Sequence, residues 1–416
     1  MKHKQIFNKL KLVSLILVSI LLLSACSGVD ETKKIEDLAN WQDVLDSGKN
    51  KEVSILMWGG NESINQYMDG FVATRLKELY GITLNRVPMN APDYLMKLIN
   101  EKKSNLDEGT ADLLWINAEN FLTAKTGGLL SGPFTSLLPN LNTYYDLNAS
   151  DLNYDSGIEI EGYEAIWGRA QLVFTYDTQM ITSPPKNFEE LLEWAKAHPG
   201  KFTYPKLPDD FVGTAFIRNA FYELTGQRDI FQTDMTEEEF NILAKPVMDY
   251  FTELSPYLWN NGESYPATQA QLDELFKNGE IDMTMGFEVG KTAGLVASKV
   301  YPATATTYVF DTGTIGNSHY LAIPFNAPEQ AAALLVIDFL QSPEAQTEKM
   351  KSEVWGDMPA FDVTKLTAEQ SALFNTVEQA TGSLSLQELT DRRLPEMKSA
   401  YIDWIKSLWM DTVTGR

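Results

Sequence analysis

Cysteine and histidine are scarce in this chain of 416 residues, which contains one cysteine, Cys26, and three histidines. A single cysteine cannot form an internal disulfide. Beyond the N-terminal leader only His198 and His319 remain, and neither belongs to an H-E-x-x-H motif or a comparable metal-ligand spacing. We therefore expect no metal and no cofactor, and no thiol remains as a catalytic nucleophile once Cys26 is assigned below.

Positive charge is also scarce, with 34 Lys and Arg against 57 Asp and Glu. Removal of residues 1–25, which hold four of the lysines and no acidic residue, changes the formal charge from −23 to −27. Nucleic-acid binding needs a basic footprint, so this charge balance argues against nucleic acid and we expect none as a partner. The mature chain also lacks Pro-rich and Gly/Ser-rich linkers, so its domains must be joined by structured crossings.

The first 25 residues have the features of a signal peptide. Leu12 to Leu23 is apolar but short for a membrane span, and it follows a positive segment that contains Lys2, Lys4, Lys9 and Lys11. Leu23-Ser24-Ala25-Cys26 resembles the bacterial lipobox, in which the cysteine is acylated and becomes the new N-terminus. This predicts an extracytoplasmic protein, lipid-anchored to the bacterial cell membrane through Cys26. The alternative is an ordinary cleavable signal with a chance cysteine.

Cleavage leaves 391 of the 416 residues, which predicts roughly two domains. Strand and helix patterns alternate from residue 53 onward, as in an α/β fold with helices on both faces of a sheet. The first elements are a strand at Val53–Trp58, a helix at Ile64–Leu79 that stops at Gly81, a strand at Ile82–Val87, a helix at Asp93–Lys103 and a strand at Ala111–Ile116.

Similar elements recur in the second half of the chain. They are helices at Phe188–Ala197, Thr214–Thr225 and Leu272–Lys277, strands at Ile281–Met285 and Tyr320–Pro324, and a helix at Gln330–Gln341. Ser342 before Pro343 reads as the N-cap of a further helix. Residues 368–409 are predicted to be mostly helical.

Two strand-like runs, Trp167–Tyr176 and Thr306–Phe310, are predicted to carry the chain between two interleaved lobes with a cleft between them. The predicted organisation is a signal peptide at 1–25, a lipidated tether with a short helix at 26–51, lobe 1 at 52–172 plus 311–350, lobe 2 at 173–310, and a helical C-terminal segment at 351–416 that packs on the lobes.

Several short sequence motifs together resemble those of a known family. The lipobox, Trp58-Gly59-Gly60, the Gly279 to Met283 phrase and the Phe339 to Gln346 phrase resemble type II extracellular solute-binding proteins of ATP-driven (ABC) importers. A closer resemblance, covering most of residues 41–360, is to the YnjB-type family of such proteins. It is carried by Trp58-Gly59-Gly60 with Ile64-Asn65, Asp112 to Asn117 with Glu119 to Phe121, Gly132-Pro133-Phe134, Trp167-Gly168 with Gln171 to Phe174, and Gly313 to His319.

The resemblance implies a two-lobed type II periplasmic-binding-protein fold and a role in transport rather than catalysis. The implied partners are a small-molecule ligand and the permease and ATPase subunits of an ABC importer. Relatives in this neighbourhood bind thiamine, polyamines or ferric iron, so a thiamine-like molecule, a polyamine or another small solute would fit. Gln171 and Asn317 fall within the matching motifs and are taken as ligand-binding candidates.

Candidate binding residues follow two strands of the predicted sheet. In an open parallel sheet, ligands lie beyond the carboxyl ends of the strands, where glycine allows close approach and asparagine offers donors and an acceptor. Such positions are occupied by Trp58, Gly60 and Asn61 after the first strand and by Asn117, Glu119 and Asn120 after the third. Tight turns and N-caps are the competing interpretation.

Further candidates lie in the second half of the cleft. Thr214, after Gly213 and ahead of Arg218, would suit an anion cradle or a plain N-cap. Trp167, Tyr204 and Phe287 would stack on a flat or cationic ligand, unless they are core residues. Glu119 and Glu288 would pair with a positive group on the ligand, although Glu288 departs from the family pattern.

Two other functional interpretations remain open at this stage. One is an exported carbohydrate-active enzyme that uses a pair of carboxylates, and the other is a surface receptor or adhesin lipoprotein. The segment Asp151–Asp155 begins like a calcium loop, but Ser156 and Gly162 stand where glycine and glutamate are required, so no calcium site is predicted.

Overall fold

A computed structural model describes residues 33–380 and 384–415. The predicted signal peptide and Cys26 lie outside the described residues. The strands are Glu52–Met57 (β1), Thr83–Pro88 (β2), Leu113–Ile116 (β3), Leu130–Ser131 (β4), Tyr154–Asp155 (β5), Ile158–Glu159 (β6), Glu164–Gln171 (β7), Val173–Asp177 (β8), Met283–Gly286 (β9), Ala305–Tyr308 (β10), Thr314–Pro324 (β11) and Arg393–Leu394 (β12).

Helices connect most of these strands and confirm the α/β class. The α-helices are Trp41–Gly48, Glu62–Gln66, Ala73–Tyr80, Ala91–Lys103, Ala118–Thr126, Pro139–Tyr144, Ser150–Asn153, Phe188–Ala197, Phe211–Leu224, Glu237–Leu254, Gln269–Lys277, Lys291–Ala297, Gln330–Leu340, Pro343–Met350, Ala368–Ala380, Leu386–Asp391 and Ile402–Trp409. A π-helical turn, Tyr67–Val72, joins the helices Glu62–Gln66 and Ala73–Tyr80 into one continuous helix. Its C-cap is Gly81, which has the left-handed conformation.

The main sheet has the order β2-β1-β3-β11 and continues through β7 on the other side of β11. β1 runs parallel to β2 and to β3, with Ile55 opposite Leu113, whereas β11 is antiparallel to β3 and β7. The carboxyl ends of β1 and β3 therefore meet at the same edge of the sheet. This edge is where Trp58 and Asn117 leave their strands.

A second sheet, of order β10-β8-β9, is antiparallel throughout. The chain enters it from β7 through Leu172, whose N–H donates to the carbonyl oxygen of Ile315 at 2.9 Å. It returns from β10 to β11, so β7 and β11 lie side by side at both crossings. The predicted strand-like run Trp167–Tyr176 is thus two strands, one in each sheet.

The buried apolar residues form two large clusters. The first core draws on residues from Ile35 to Trp167 and from Tyr320 to Phe374. The second draws on residues from Ala170 to Ile315 and from Leu394 to Trp409. The chain is therefore interleaved between two bodies, and its C-terminal helix packs on the second.

The N-terminal helix Trp41–Gly48 docks on the first body. The N–H of Ile35 donates to Oε1 of Gln330 at 2.9 Å. A Cβ at Gly48 would lie 2.7 Å from the carbonyl oxygen of Ala331, so glycine is needed where this helix meets Gln330–Leu340. Among the described residues, no helix combines the length and apolar character that a membrane crossing requires.

Candidate functional site

The loop after β1 forms one wall of the candidate site. The Trp58 side chain is 47% exposed, and a Cβ at Gly60 would lie 2.4 Å from Cζ2 of Trp58, so the indole covers Gly60 closely. Asn61 caps the following helix: its Oδ1 accepts from the N–H groups of Ser63 and Ile64 at 2.9 and 3.2 Å. This bonding fixes the amide so that Nδ2 points away from the helix.

The loop after β3 lies beside it. Asn117 occupies the N-cap position of Ala118–Thr126, but its side chain caps no N–H of that helix. Ala118 has φ of 51°, and its N–H donates to the Asp155 carboxylate in a short hydrogen bond. Glu119 is exposed and Asn120 half-buried. Glu119 lies close enough to the second body for its charge to act on Arg218 there.

Asp155 is buried behind this loop. Burial raises the pKa of Asp155 to about 7, and the nearby Glu119 carboxylate raises it further, while the bonds from Ala118 and Ser156 oppose the shift. The carboxyl group therefore holds a proton well above the pH at which an exposed aspartate loses it.

The second body contributes the opposite wall. Asp210 caps the helix Phe211–Leu224, accepting from the N–H groups of Val212 and Gly213 at 2.8 and 3.2 Å. Phe211, the first residue of that helix, is 49% exposed, and its ring centroid lies 5.1 Å from that of Phe287. Two aromatic rings therefore stand next to Glu288.

Glu288 joins the two walls. Its Oε1 accepts from Nδ2 of Asn61 at 3.3 Å and its Oε2 accepts from Nε2 of Gln269 at 3.4 Å. The backbone N–H of Gln269 donates in turn to Oδ2 of Asp210 at 2.8 Å. A chain of hydrogen bonds thus runs across the space between the bodies. We call the surface formed by Trp58–Asn61, Asn117–Asn120, Phe211, Phe287 and Glu288 the cleft surface.

Arg218 lies midway along the helix Phe211–Leu224 and is buried. It forms a close ion pair with Glu396, and its guanidinium lies 5.1 Å from the centre of the Phe211 ring. Burial lowers the pKa of Arg218 to about 10, against the opposing effects of Tyr222 and Glu119. Its Nε and Nη2 atoms have no hydrogen-bond partner within the described ranges.

Several sequence candidates are buried away from the cleft surface. Tyr204 is fully buried in the second core, where its hydroxyl accepts from Nε1 of Trp409 at 3.0 Å. The hydroxyl of Thr214 donates to the carbonyl oxygen of Asp210 at 2.9 Å, within its own helix. Tyr204 is therefore a core residue, and Thr214 lies inside a helix whose N-cap is Asp210, so Thr214 is not itself the N-cap. Ligand contact would require both side chains to leave these bonds.

Trp167 and Gln171 are also buried. The Trp167 ring lies 5.3 Å from Trp115 and 5.5 Å from Trp355, in the first core. Nε2 of Gln171 donates to Oγ1 of Thr314 at 3.0 Å and so joins the two crossing strands. The structure thus gives Trp167 a packing role and Gln171 a role in holding the crossing together.

Asn317 borders a separate cavity of about 930 Å³. Its carbonyl oxygen accepts from Nη2 of Arg393 at 2.8 Å. Asp151, the first residue of the calcium-like segment, pairs with Arg169 at 2.7 Å and lines the same cavity. No cluster of three or more metal-ligating side chains occurs in residues 33–380 and 384–415.

Sequence reasoning missed Phe211, Gln269 and Glu396. The predicted helix start at Thr214 was three residues late, because the cap is Asp210. An aspartate followed by an apolar run is an N-cap signal, and it would have placed Phe211 at the exposed first turn. The contacts of Gln269 and Glu396 depend on distant partners and have no local signal.

Two interleaved α/β bodies, linked by paired crossing strands and facing each other across loops at strand ends, define the class of type II periplasmic binding proteins. Residues 71–375 match the model of the family described as bacterial extracellular solute-binding protein, and the chain belongs to that family.

The chain is similar to Protein YnjB of Escherichia coli (strain K12), with 36% identity over 330 residues that cover 79% of this chain and 84% of YnjB. It shares its fold with an ABC transporter protein from Clostridium perfringens at a TM-score of 0.62 and 15% identity, covering 87% of this chain and 99% of that one. It also resembles the spermidine/putrescine substrate-binding protein PotD of Streptococcus pneumoniae, at a TM-score of 0.59 and 12% identity, with 87% and 98% covered.

Proposed function

We propose that this protein is a lipid-anchored solute-binding protein that captures a small molecule at the cleft surface and delivers it to the permease of an ABC importer. The observation that carries the proposal is the hydrogen bond from Asn61 to Glu288, which joins the two bodies beside exposed aromatic and amide side chains. Membership in a family of solute-binding proteins supports the transport role and does not favour the carbohydrate-active enzyme.

The proposed lobes are lobe 1 at 52–172 plus 311–350 and lobe 2 at 173–310. The second core also includes Ala170, Leu172 and Ile315, which lie beside the crossings. The proposed hinges are Gln171 to Thr175 and Thr306 to Phe310. Both lie at or beside the two crossings, where few strands link the bodies. Opening there would break the long contact between Asn61 and Glu288 and leave each core intact.

A ligand that contacts both lobes would stabilise the closed form, and the importer would distinguish loaded from empty protein by the spacing of the lobes. Moving the population from 1:99 to 99:1 requires about 5.5 kcal/mol of differential affinity. Solution X-ray scattering with and without a ligand tests this mechanism. We expect a smaller radius of gyration at saturation, whereas an unchanged distance distribution would overturn closure.

A thermal-shift screen against vitamins, polyamines, sugars, amino acids and metals tests capture itself. A ligand that binds only the folded state raises the melting temperature in a concentration-dependent way. The proposed contacts are those of the cleft surface, with Trp58, Asn61, Asn117 and Glu119 among them. A screen in which no compound of any class shifts the melting temperature would contradict the proposed function.

The anchor is proposed on the sequence alone, since Cys26 lies outside the described residues. One acyl chain binds membranes only marginally, so a diacyl modification is expected. Cys26→Ser should move the protein from the membrane fraction to the soluble fraction. Unchanged membrane fractionation of this variant would reject the anchor without affecting ligand capture.

A further inference from the structure

We infer that the cleft surface recognises an organic cation and that Glu288 is the carboxylate that binds its positive group, an inference that rests on the proposed function. The first argument is the bonding of Glu288. A carboxylate has about four lone-pair sites, and the two bonds that Glu288 accepts are long ones, at 3.3 and 3.4 Å, from the neutral amides of Asn61 and Gln269.

The second argument is that this half-buried carboxylate has no cation in direct contact among the described residues. Glu288 forms no ion pair within 4.0 Å in the part of the chain that the structure describes. The adjacent Lys291 pairs directly with Asp273, with Nζ 2.6 Å from Oδ2. Burial alone would lower the pKa of Lys291, but the charge of Glu288, acting at longer range, raises it. Two arginines near this surface are paired with other carboxylates: Arg218 with Glu396, and Arg86, whose Nη1 lies close to Gly59, with Asp69. A half-buried carboxylate without a cation in contact is costly, and a cationic ligand that contacts it directly would reduce that cost.

The third argument is the aromatic surface beside the carboxylate. Cations bind over aromatic faces within about 6 Å of the ring centre. Arg218 already lies over one face of Phe211, yet about half of that side chain remains exposed. Trp58 is exposed to a similar extent, three residues before the amide that touches Glu288. The Phe211 face near Glu288, with the exposed Trp58 on the neighbouring loop, matches a ligand that is both cationic and partly apolar.

The backbone also makes room for this carboxylate. A Cβ at Gly286 would lie 2.1 Å from Nε2 of Gln269 and 3.4 Å from Oε2 of Glu288. A side chain at this position would therefore displace the amide that orients the carboxylate. Asn61 is oriented in the same way by its capping bonds. Glu288 is thus held from both sides, and no further side-chain hydrogen bond from residues 33–380 or 384–415 occupies its remaining lone pairs.

The test uses the full chain and isothermal titration with four probes: spermidine and thiamine as cations, glucose as a neutral solute and inorganic phosphate as an anion. The variant Glu288→Gln keeps the shape and removes the charge. Glu238→Gln, at an exposed position of the helix Glu237–Leu254, is the matched control for charge. Trp58→Ala removes an exposed ring and tests the aromatic contribution without disturbing a core.

We expect at least one cationic probe to bind the wild-type chain, and to bind Glu288→Gln about tenfold more weakly or worse. Glu238→Gln should bind the cationic probe with the affinity of the wild type, and Trp58→Ala should bind it more weakly. Melting temperatures without probe establish that each variant is folded.

Absence of binding by both cations, or equal affinity of Glu288→Gln and wild type, would overturn the inference. Binding of glucose or phosphate together with a smaller radius of gyration in solution scattering would support capture of a solute. The same result would contradict a cationic ligand. The failure of this inference is therefore distinguishable from the failure of the proposed function.

Discussion

Asn61 has two roles at the start of one helix. Its Oδ1 caps the helix Glu62–Gln66, and its Nδ2 donates to Glu288 on the other body. A side chain with an acceptor and a donor on the same planar group is needed for both. Aspartate, which caps equally well, offers only the acceptor.

Asn61→Asp is therefore predicted to keep the helix cap and lose the contact between the bodies. The new carboxylate would face Glu288 at about the distance of the present hydrogen bond, and two like charges repel at that distance. We expect a larger radius of gyration in solution scattering and a melting temperature close to that of the wild type. Asn61→Ala is the comparison, because it should lose the cap as well, at about 1 kcal/mol. Identical scattering of Asn61→Asp and wild type would contradict the argument.

The buried carboxyl of Asp155 predicts a dependence of stability on pH. Since its pKa is about 7 in the folded chain, the folded state holds a proton that the unfolded state has lost between about pH 4 and pH 7. Stability should thus fall as the pH rises through that range. Asp155→Asn should flatten this part of the profile in urea unfolding at pH 4.5 and 7.5. Asp209→Asn, at an exposed position, should leave it unchanged.

At the scale of elements, local patterns predicted much of the fold. The helix Phe188–Ala197 has its predicted bounds, and Ser342 caps the helix Pro343–Met350 through its Oγ. Such features depend on neighbours in sequence, so the sequence reveals them. β12 is different: it was expected to be helical and is a strand because Arg393 and Leu394 pair with Thr314 and Ile315 of β11. No local pattern encodes a partner about 80 residues away.

In the candidate site, too, the sequence predicted some features and missed others. The strand ends at Trp58 and Asn117 were predictable because parallel strands share an edge. The burial of Tyr204 and Trp167 was not, since an aromatic residue in a core and one in a pocket have the same local sequence. Whether Trp58, Asn61 and Asn117 bind a ligand remains a prediction.

Lys349 connects three elements through a buried charge. Its Nζ lies 2.6 Å from Oδ2 of Asp357 and donates to the carbonyl oxygens of Trp167 and Met358 at 3.0 and 3.1 Å. His319 on β11 lies 3.3 Å from the other oxygen of Asp357. Gly168 is required here, because a Cβ would come within 2.4 Å of Nζ.

Lys349→Met is predicted to destabilise the fold by about 3–5 kcal/mol, because it leaves the Asp357 carboxylate buried without its main counter-ion. Urea unfolding measures the effect. Lys351→Met, which breaks a partly exposed pair with Glu348, is the control and should cost less than about 1 kcal/mol. A similar effect of the two variants would show that the buried pair contributes no more than a surface pair.

At the scale of the molecule, the second core includes the C-terminal helix. Ile405 and Trp409 are fully buried there, and Trp409 donates to Tyr204 on a segment 205 residues earlier. The helix is therefore part of lobe 2 in packing, although the sequence places it after lobe 1 is complete.

Trp409→Ala should accordingly cost about 3–5 kcal/mol, as truncations of large buried aromatics do. Near-ultraviolet circular dichroism would report the loss of aromatic packing, and urea unfolding would measure the loss of stability. Trp404→Ala is a useful comparison, because Trp404 is only partly buried against the same core and its removal should cost less. If Trp409→Ala lowered the free energy of unfolding no more than Trp404→Ala does, the C-terminal helix would not be part of the second core.

The interleaving also sets the order in which the chain can become resistant to proteolysis. The first core needs residues up to Phe374 and the second needs residues up to Trp409. A chain that emerges from a translocation channel with its N-terminus first can complete neither core until nearly all of it has crossed. If the chain is exported through such a channel, its early segments stay unfolded with their apolar faces uncovered, and we expect it to fold on the outer side of the membrane.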